Sequence, residues 1–143
     1  MTPHPSAPRR AALIGLFVFG LTGLLCLIAL ANADWDPLAF ATVGTRFSEN
    51  DPAGTTGYDG QFVYYIARDG AESIPYLDGP TLRLQRILYP VVGRALALGS
   101  PEALPWVLIA VNLAAHSFGA GFVAYLALKW GAPAYTGLIY GLW

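Results

Sequence analysis

Two long runs without a charged residue organise the chain, Ala11 to Ala33 and Ala103 to Leu128. A helix needs about 20 predominantly apolar residues to cross a bilayer, so each run is long enough. A third apolar run opens at Ala132 and reaches Trp143, too short to span. It carries no closing charge, turn or cap and reads as the start of a further span in a longer polytopic protein. The alternative is a short protein whose last segment lies in the membrane interface. The pattern thus divides the chain into a Pro-rich tail at 1–10, holding His4 and expected to be disordered, and a first membrane helix at 11–33. An external loop at 34–102, a second membrane helix at 103–128 and the truncated start of a third at 132–143 follow. No internal repeat, heptad or low-complexity tract interrupts this order.

The second run is well punctuated. Gly99 can end a preceding helix, Ser100 can cap the next, Pro101 suits the first turn and Glu102 favours the dipole. Pro105 fits less well, because it deletes an intrahelical bond. Lys129, Gly131 and Pro133 mark the stop. Inside the loop, Gly44 to Gly57 reads as irregular, with Asp51-Pro52 and Gly54 as turn signals. Tyr58 to Arg68 reads as a short helix, with Tyr58, Phe62, Tyr65 and Ile66 on one stripe and Gln61, Tyr64 and Arg68 on another. Gly70, Pro75 and Gly79-Pro80 break the chain. Thr81 to Tyr89 reads as a second short helix. Pro90 to Leu98, with Pro90 at its first position, is too short to cross and reads as interfacial or re-entrant.

Composition supports a membrane class. Mean hydropathy is +0.49, 55% of residues are hydrophobic and 12% are charged, against about 25% charged in a typical soluble domain. The net charge of −1 gives no case for nucleic-acid binding. Two histidines and one cysteine exclude a Cys/His zinc cluster built within the chain, and Cys26 reads as a small apolar residue of the first span. Arg9 and Arg10 precede the first run and Asp34 and Asp36 follow it, which puts the N-terminus in the cytoplasm. Lys129 then falls on the cytoplasmic side. A cleaved signal peptide, with Ala31-Asn32-Ala33 before Asp34, is the rival reading; either one places Asp34 onward outside. Between Asp34 and Arg86 the acids (Asp34, Asp36, Glu49, Asp51, Asp59, Asp69, Glu72 and Asp78) outnumber the bases (Arg46, Arg68, Arg83 and Arg86).

Three short pieces carry a resemblance: Tyr58-Asp59-Gly60-Gln61-Phe62, Tyr65-Ile66-Ala67-Arg68-Asp69-Gly70 and Arg86-Ile87-Leu88-Tyr89-Pro90. Together they resemble the first external loop of GT-C type membrane glycosyltransferases, in particular bacterial polytopic proteins assigned to cell-surface glycopolymer formation. They are more distantly similar to GPI-anchor mannosyltransferases. The resemblance implies an all-α fold: polytopic membrane helices with an external loop of short juxtamembrane helices. It implies a bacterial inner-membrane protein that takes a sugar from a polyprenyl-phosphate carrier and moves it to a cell-surface glycan or lipid. It also implies an acidic loop residue as catalytic base or acceptor-positioning group, and the matching position is Asp59. Many members carry paired acids there, whereas Gly60 follows Asp59. No organic cofactor is expected, although some relatives of this type use a divalent cation. Two complete spans cannot enclose a donor site, so the chain alone is expected to be inactive. A non-enzymatic scaffold or transport component handling lipid-linked glycans is the alternative.

The residues fit this chemistry in outline. Glycosyl transfer needs a base at the acceptor hydroxyl and stabilisation of the departing phosphate. Asp59 can serve as the base, with Gly57 and Gly60 leaving its backbone open to a substrate; equally, it can cap the helix that follows. Tyr58 and Gln61 are substrate-binding candidates beside it. Arg83 and Arg86, three apart on a helix, can clamp a phosphate, or they can bind lipid headgroups or pair with loop acids. Arg94 reads as a snorkelling residue, Asp34 and Asp36 as helix-end markers, and Tyr64, Tyr65 and Tyr89 as interface anchors. In the second span, Asn112 and His116 share a face, and Ser117 and Gly121 form a small-xxx-small pair suited to close helix packing.

Overall fold

The computed structural model describes residues 6–143, and its described residues form helices and turns with no strand. The N-terminal five residues, including His4 and half of the expected disordered tail, lie outside the described residues. The order is α1 (Ala7–Asn32), α2 (Thr45–Ser48), α3 (Gly60–Asp69), α4 (Pro80–Leu84), α5 (Leu88–Leu96), α6 (Leu104–Lys129) and α7 (Thr136–Leu142). Short 3₁₀ segments lie at Pro37–Phe40 and Gly70–Tyr76.

Helices α1 and α6 are the two apolar runs. At 26 residues each, they are about 39 Å long by the helical rise, more than the roughly 30 Å hydrocarbon thickness. Both are long and apolar enough to cross a membrane, yet only 11% and 22% of their most apolar windows are buried. A core helix of a soluble protein would be mostly covered, so the exposed leucines and phenylalanines of α1 and α6 call for lipid or further protein around them. Helix α1 begins four residues before the charge-free run, so Arg9 and Arg10 lie in its first turns and Pro8 sits where its missing N–H is not needed. Pro105 is accommodated at the second position of α6 for the same reason. Ser100 Oγ accepts from the Ala103 N–H at 3.2 Å in the turn that leads into α6, so its bond falls just ahead of the helix it is expected to cap.

The chain forms two compact units. One comprises the chain up to Ala29 together with Asn112–Trp143. Its packing rests on small residues. A Cβ added at Gly15 would lie 3.0 Å from the Ser117 carbonyl oxygen and 3.6 Å from the Gly121 Cα, so α1 and α6 meet backbone to backbone, as the small-xxx-small pair predicts. Helix α7 seats by the same device: a Cβ at Gly141 would come within 2.6 Å of Val18, and one at Gly137 within 2.8 Å of the Ala124 Cβ. His116 Nε2 donates to the Gly141 carbonyl oxygen at 2.9 Å and its ring stacks on Tyr140. The histidine therefore has a structural partner.

The other unit is Leu30–Val111. Helix α3 is its centre. Phe62, Tyr65 and Ile66 are buried with Leu77, and Phe47, Tyr76 and Leu84 pack around them. Ala67 on the neighbouring stripe joins Ala97, Leu104 and Leu108, flanked by Tyr89. Tyr89 donates to the Leu108 carbonyl oxygen at 2.7 Å, and the absence of a side chain at Gly93 admits Leu108 against α5. Tyr65 and Tyr89 are thus packing residues of this unit, not interface anchors.

Contrary to expectation, Thr81 to Tyr89 does not form a single helix. Helix α4 ends at Leu84, Gln85–Ile87 form a turn, and α5 starts at Leu88. Pro90 has no N–H to give the Arg86 carbonyl and its ring would strike that group, so a helix cannot run through both. Pro90 instead occupies the third position of α5, where its N–H would be unpaired anyway.

Candidate functional site

Asp59 stands at the start of α3, and the loop before it is tied back by Gly57. That glycine has φ +66, and a Cβ there would meet the Thr42 oxygen, the Gly44 nitrogen and the Gln61 amide. Only glycine combines this conformation with so close an approach. The Tyr58 N–H donates to the Thr42 carbonyl oxygen, closing the loop at 3.0 Å. Gly60 is also crowded, a Cβ there lying 2.9 Å from the Phe40 oxygen and 3.0 Å from the Ala41 Cα. The two glycines therefore serve chain packing, and the space beside the Asp59 backbone is filled by this loop rather than left for a substrate.

The Asp59 carboxylate does not cap α3: no side-chain bond reaches the helix N–H groups. It turns to Arg83, whose Nη2 donates to its Oδ1 at 2.9 Å. Arg83 is also gripped by Asp78 through two parallel bonds of 2.8 Å, from Nε and Nη2, and its guanidinium lies over the Phe62 ring at 4.3 Å. The Asp59 side chain is 63% exposed, that of Arg83 21%. Arg83 is thus an ion-paired residue whose Nη1 has no partner among the described residues, and of the readings open for it, pairing with loop acids is the one realised.

Asp78 is a site residue that sequence reasoning misses. Its signal lies in Asp78-Gly79-Pro80: Pro80 starts α4, and an acid just ahead of that start faces an arginine one turn in. Arg86 lies in the turn after α4, so it does not share a helical face with Arg83. It is exposed and makes no ion pair among the described residues, although its charge helps lower the Asp59 pKa. Tyr58 is 72% exposed beside Asp59. Gln61 is removed from the binding set. It is 1% exposed, its Oε1 accepts from the Gly44 N–H at 3.1 Å and its Nε2 donates to the Thr56 carbonyl oxygen at 2.6 Å. It is the clamp that holds the loop, since buried amide groups need partners.

The electrostatics follow from this geometry. The Arg83 hydrogen bond and charge hold Asp59 below the usual carboxylate range, against an opposing effect of desolvation. Asp78 is lowered by the same partner, and Arg83 is raised by both acids. Two acids and two arginines sum to zero charge over this patch. It can accept a hydrogen bond from a hydroxyl at Asp59 and offer N–H donors to an anion at Arg83 and Arg86. Among the described residues, no three His, Cys, Asp or Glu side chains converge to hold a metal ion. Asp59 and Asp78 share a guanidinium instead, a donor set that does not suit a divalent cation.

Comparisons with protein-family models, with curated proteins and with solved structures found no match to this chain.

Proposed function

We propose that this chain is a module of a GT-C type membrane glycosyltransferase. The whole protein would transfer a sugar from a polyprenyl-phosphate donor to a cell-surface glycan or lipid. The observation that carries this reading is an exposed, ionised Asp59 held by Arg83, in a unit whose chain enters from one candidate span and leaves into another. Arg9 and Arg10 at the start of α1 support a cytoplasmic N-terminus and an external unit, in a bacterial inner membrane.

The ion pair bears on mechanism. A carboxylate with a depressed pKa is a weak general base, so in the resting state Asp59 orients an acceptor hydroxyl rather than deprotonating it. A donor phosphate competes with Asp59 for Arg83, and Arg86 adds a second cation. Drawing Arg83 toward the phosphate raises the basicity of Asp59. In the transfer step the sugar–phosphate C–O bond breaks and the acceptor oxygen bonds the anomeric carbon. Asp59 takes the hydroxyl proton, and polyprenyl phosphate leaves with the bonding electron pair.

The firm hold of Arg83 on Asp59 also favours a second reading, in which the protein binds lipid-linked glycan without consuming it. The full-length protein in membranes, given radiolabelled polyprenyl-phosphate sugar, separates the two. Transfer that is abolished in Asp59→Asn at unchanged expression supports the enzyme. Transfer unchanged in that variant removes Asp59 from the mechanism, and donor that binds without being consumed supports the scaffold.

A further inference from the structure

Its sequence position makes Arg94 a snorkelling side chain, and its surroundings carry a sharper assignment. It lines a cavity of about 100 Å³ with Ala67, Arg68, Ala97, Ser100 and Leu104. Among the described residues Arg94 makes no ion pair: Nη1 donates to the Arg68 carbonyl oxygen at 3.2 Å, and the rest of its N–H donors have no partner there. Arg68 is neutralised by Asp69 through bonds of 2.8 and 2.6 Å, so the uncompensated charge of the cavity lining is that of Arg94. Ser100 Oγ accepts from the Ala103 N–H, and its own proton has no acceptor among the described residues.

An apolar surface adjoins these donors. Leu98, two residues before Ser100, has φ +51 and is 90% exposed. Leu88 and Val91, on the face of α5 that leads to it, are 76% and 50% exposed. A leucine in left-handed backbone, held clear of any protein contact, costs stability, and burial in lipid would offset it. The cavity is also lined by Leu104, the first residue of α6, and Trp106, two residues on, is 43% exposed. The start of a spanning helix longer than the hydrocarbon core lies at headgroup depth, where tryptophan concentrates.

We propose that Arg94 and Ser100 form a binding site for the phosphate of an anionic phospholipid of the surrounding bilayer, with Leu98 and the exposed face of α5 against its acyl chains. The site rests on α6 spanning the membrane and is independent of any transferase activity.

The test uses the whole chain in detergent, titrated with dioleoylphosphatidylglycerol or dioleoylphosphatidylcholine and read by native mass spectrometry. Phosphatidylglycerol is expected to bind in preference to phosphatidylcholine. Arg94→Gln is expected to weaken it by about tenfold, the loss of one charge-assisted contact, and Arg94→Lys to recover part of the loss. Leu98→Gln, at a position with no packing to disturb, is expected to weaken it to a similar degree. Arg46→Gln, at an exposed arginine of the same unit, is the charge-matched control and is expected to leave binding unchanged. Equal binding by wild type and both the Arg94→Gln and Leu98→Gln variants, or no preference between the two lipids, overturns the site. Displacement of phosphatidylglycerol by millimolar inorganic phosphate would make it a site for soluble anions and likewise overturns the lipid assignment. Alkaline carbonate extraction of vesicles separates the two failures: a chain washed from the membrane defeats the span on which the site depends, whereas a retained chain with no lipid preference defeats the site alone.

Discussion

At the scale of single residues, hydrogen-bond geometry decides which polar groups are free to act. Asp59 and Asp78 both have pKa values depressed by Arg83. A lowered folded-state value means that their pairing stabilises the fold above the unfolded carboxylate pKa, about 4. That contribution is lost as pH falls through the lower folded values. Carboxyl carbon shifts followed by NMR should therefore show both groups titrating below the ordinary carboxylate range, and Arg83→Gln should bring both midpoints up toward it. Tyr65 shows the opposite case. It is 2% exposed, its hydroxyl lacks a partner of hydrogen-bonding geometry among the described residues, and burial raises its pKa, with the Ser48 hydroxyl offsetting part of the effect. The Ser48 proton itself goes to the Gly44 carbonyl oxygen. A buried unsatisfied hydroxyl costs about 1–3 kcal/mol, so Tyr65→Phe should leave stability unchanged or raise it by about 1 kcal/mol. Thermal unfolding in detergent measures this, and a clear loss would show that the phenol has a partner in solution.

At the scale of elements, small residues and prolines set the packing and the breaks. Helix α7 sits on α1 and α6 because Gly137 and Gly141 carry no side chain. Gly141→Val would press into Val18 and Ala120, and overpacking of this kind costs about 1–3 kcal/mol. Loss of the His116–Gly141 contact should accompany it, visible as a changed His116 ring resonance and faster proteolysis after Lys129. Much at this scale is legible in the sequence. The charge-free runs locate α1 and α6 to within a few residues, and the Tyr58–Arg68 periodicity locates α3. The break between α4 and α5 escapes that reading, although Pro90 forces it: the effect falls four residues upstream of the proline, where the local sequence still suits a helix. Gln61 is mistaken for a binding residue for a related reason. Helical spacing gives the stripe on which a residue lies, and the loop that covers Gln61 is contributed by residues earlier in the chain, Gly44 and Thr56 among them.

At the scale of the whole molecule, the two apolar helices and the helical unit between them in sequence make a definite topological prediction. In a Cys26→Ser background, Glu49→Cys should react with an impermeant maleimide added to intact cells, and Lys129→Cys should react only after the cells are opened. The reverse pattern would place the candidate site in the cytoplasm, away from any externally facing lipid-linked donor. The sequence by itself determined the all-helical class and the two potential spans, because the transfer free energy of an apolar run is summed along the chain and needs no distant partner. It also named Asp59 and Arg83. Only the tertiary structure decided that these two residues face each other. They lie 24 positions apart, and their meeting depends on the Gly57 turn, the Gln61 clamp, the Phe62 ring beneath the guanidinium and the competing carboxylate of Asp78. Those contacts are non-local, and a charge in sequence does not reveal which of several oppositely charged neighbours the folded chain will bring within hydrogen-bonding reach.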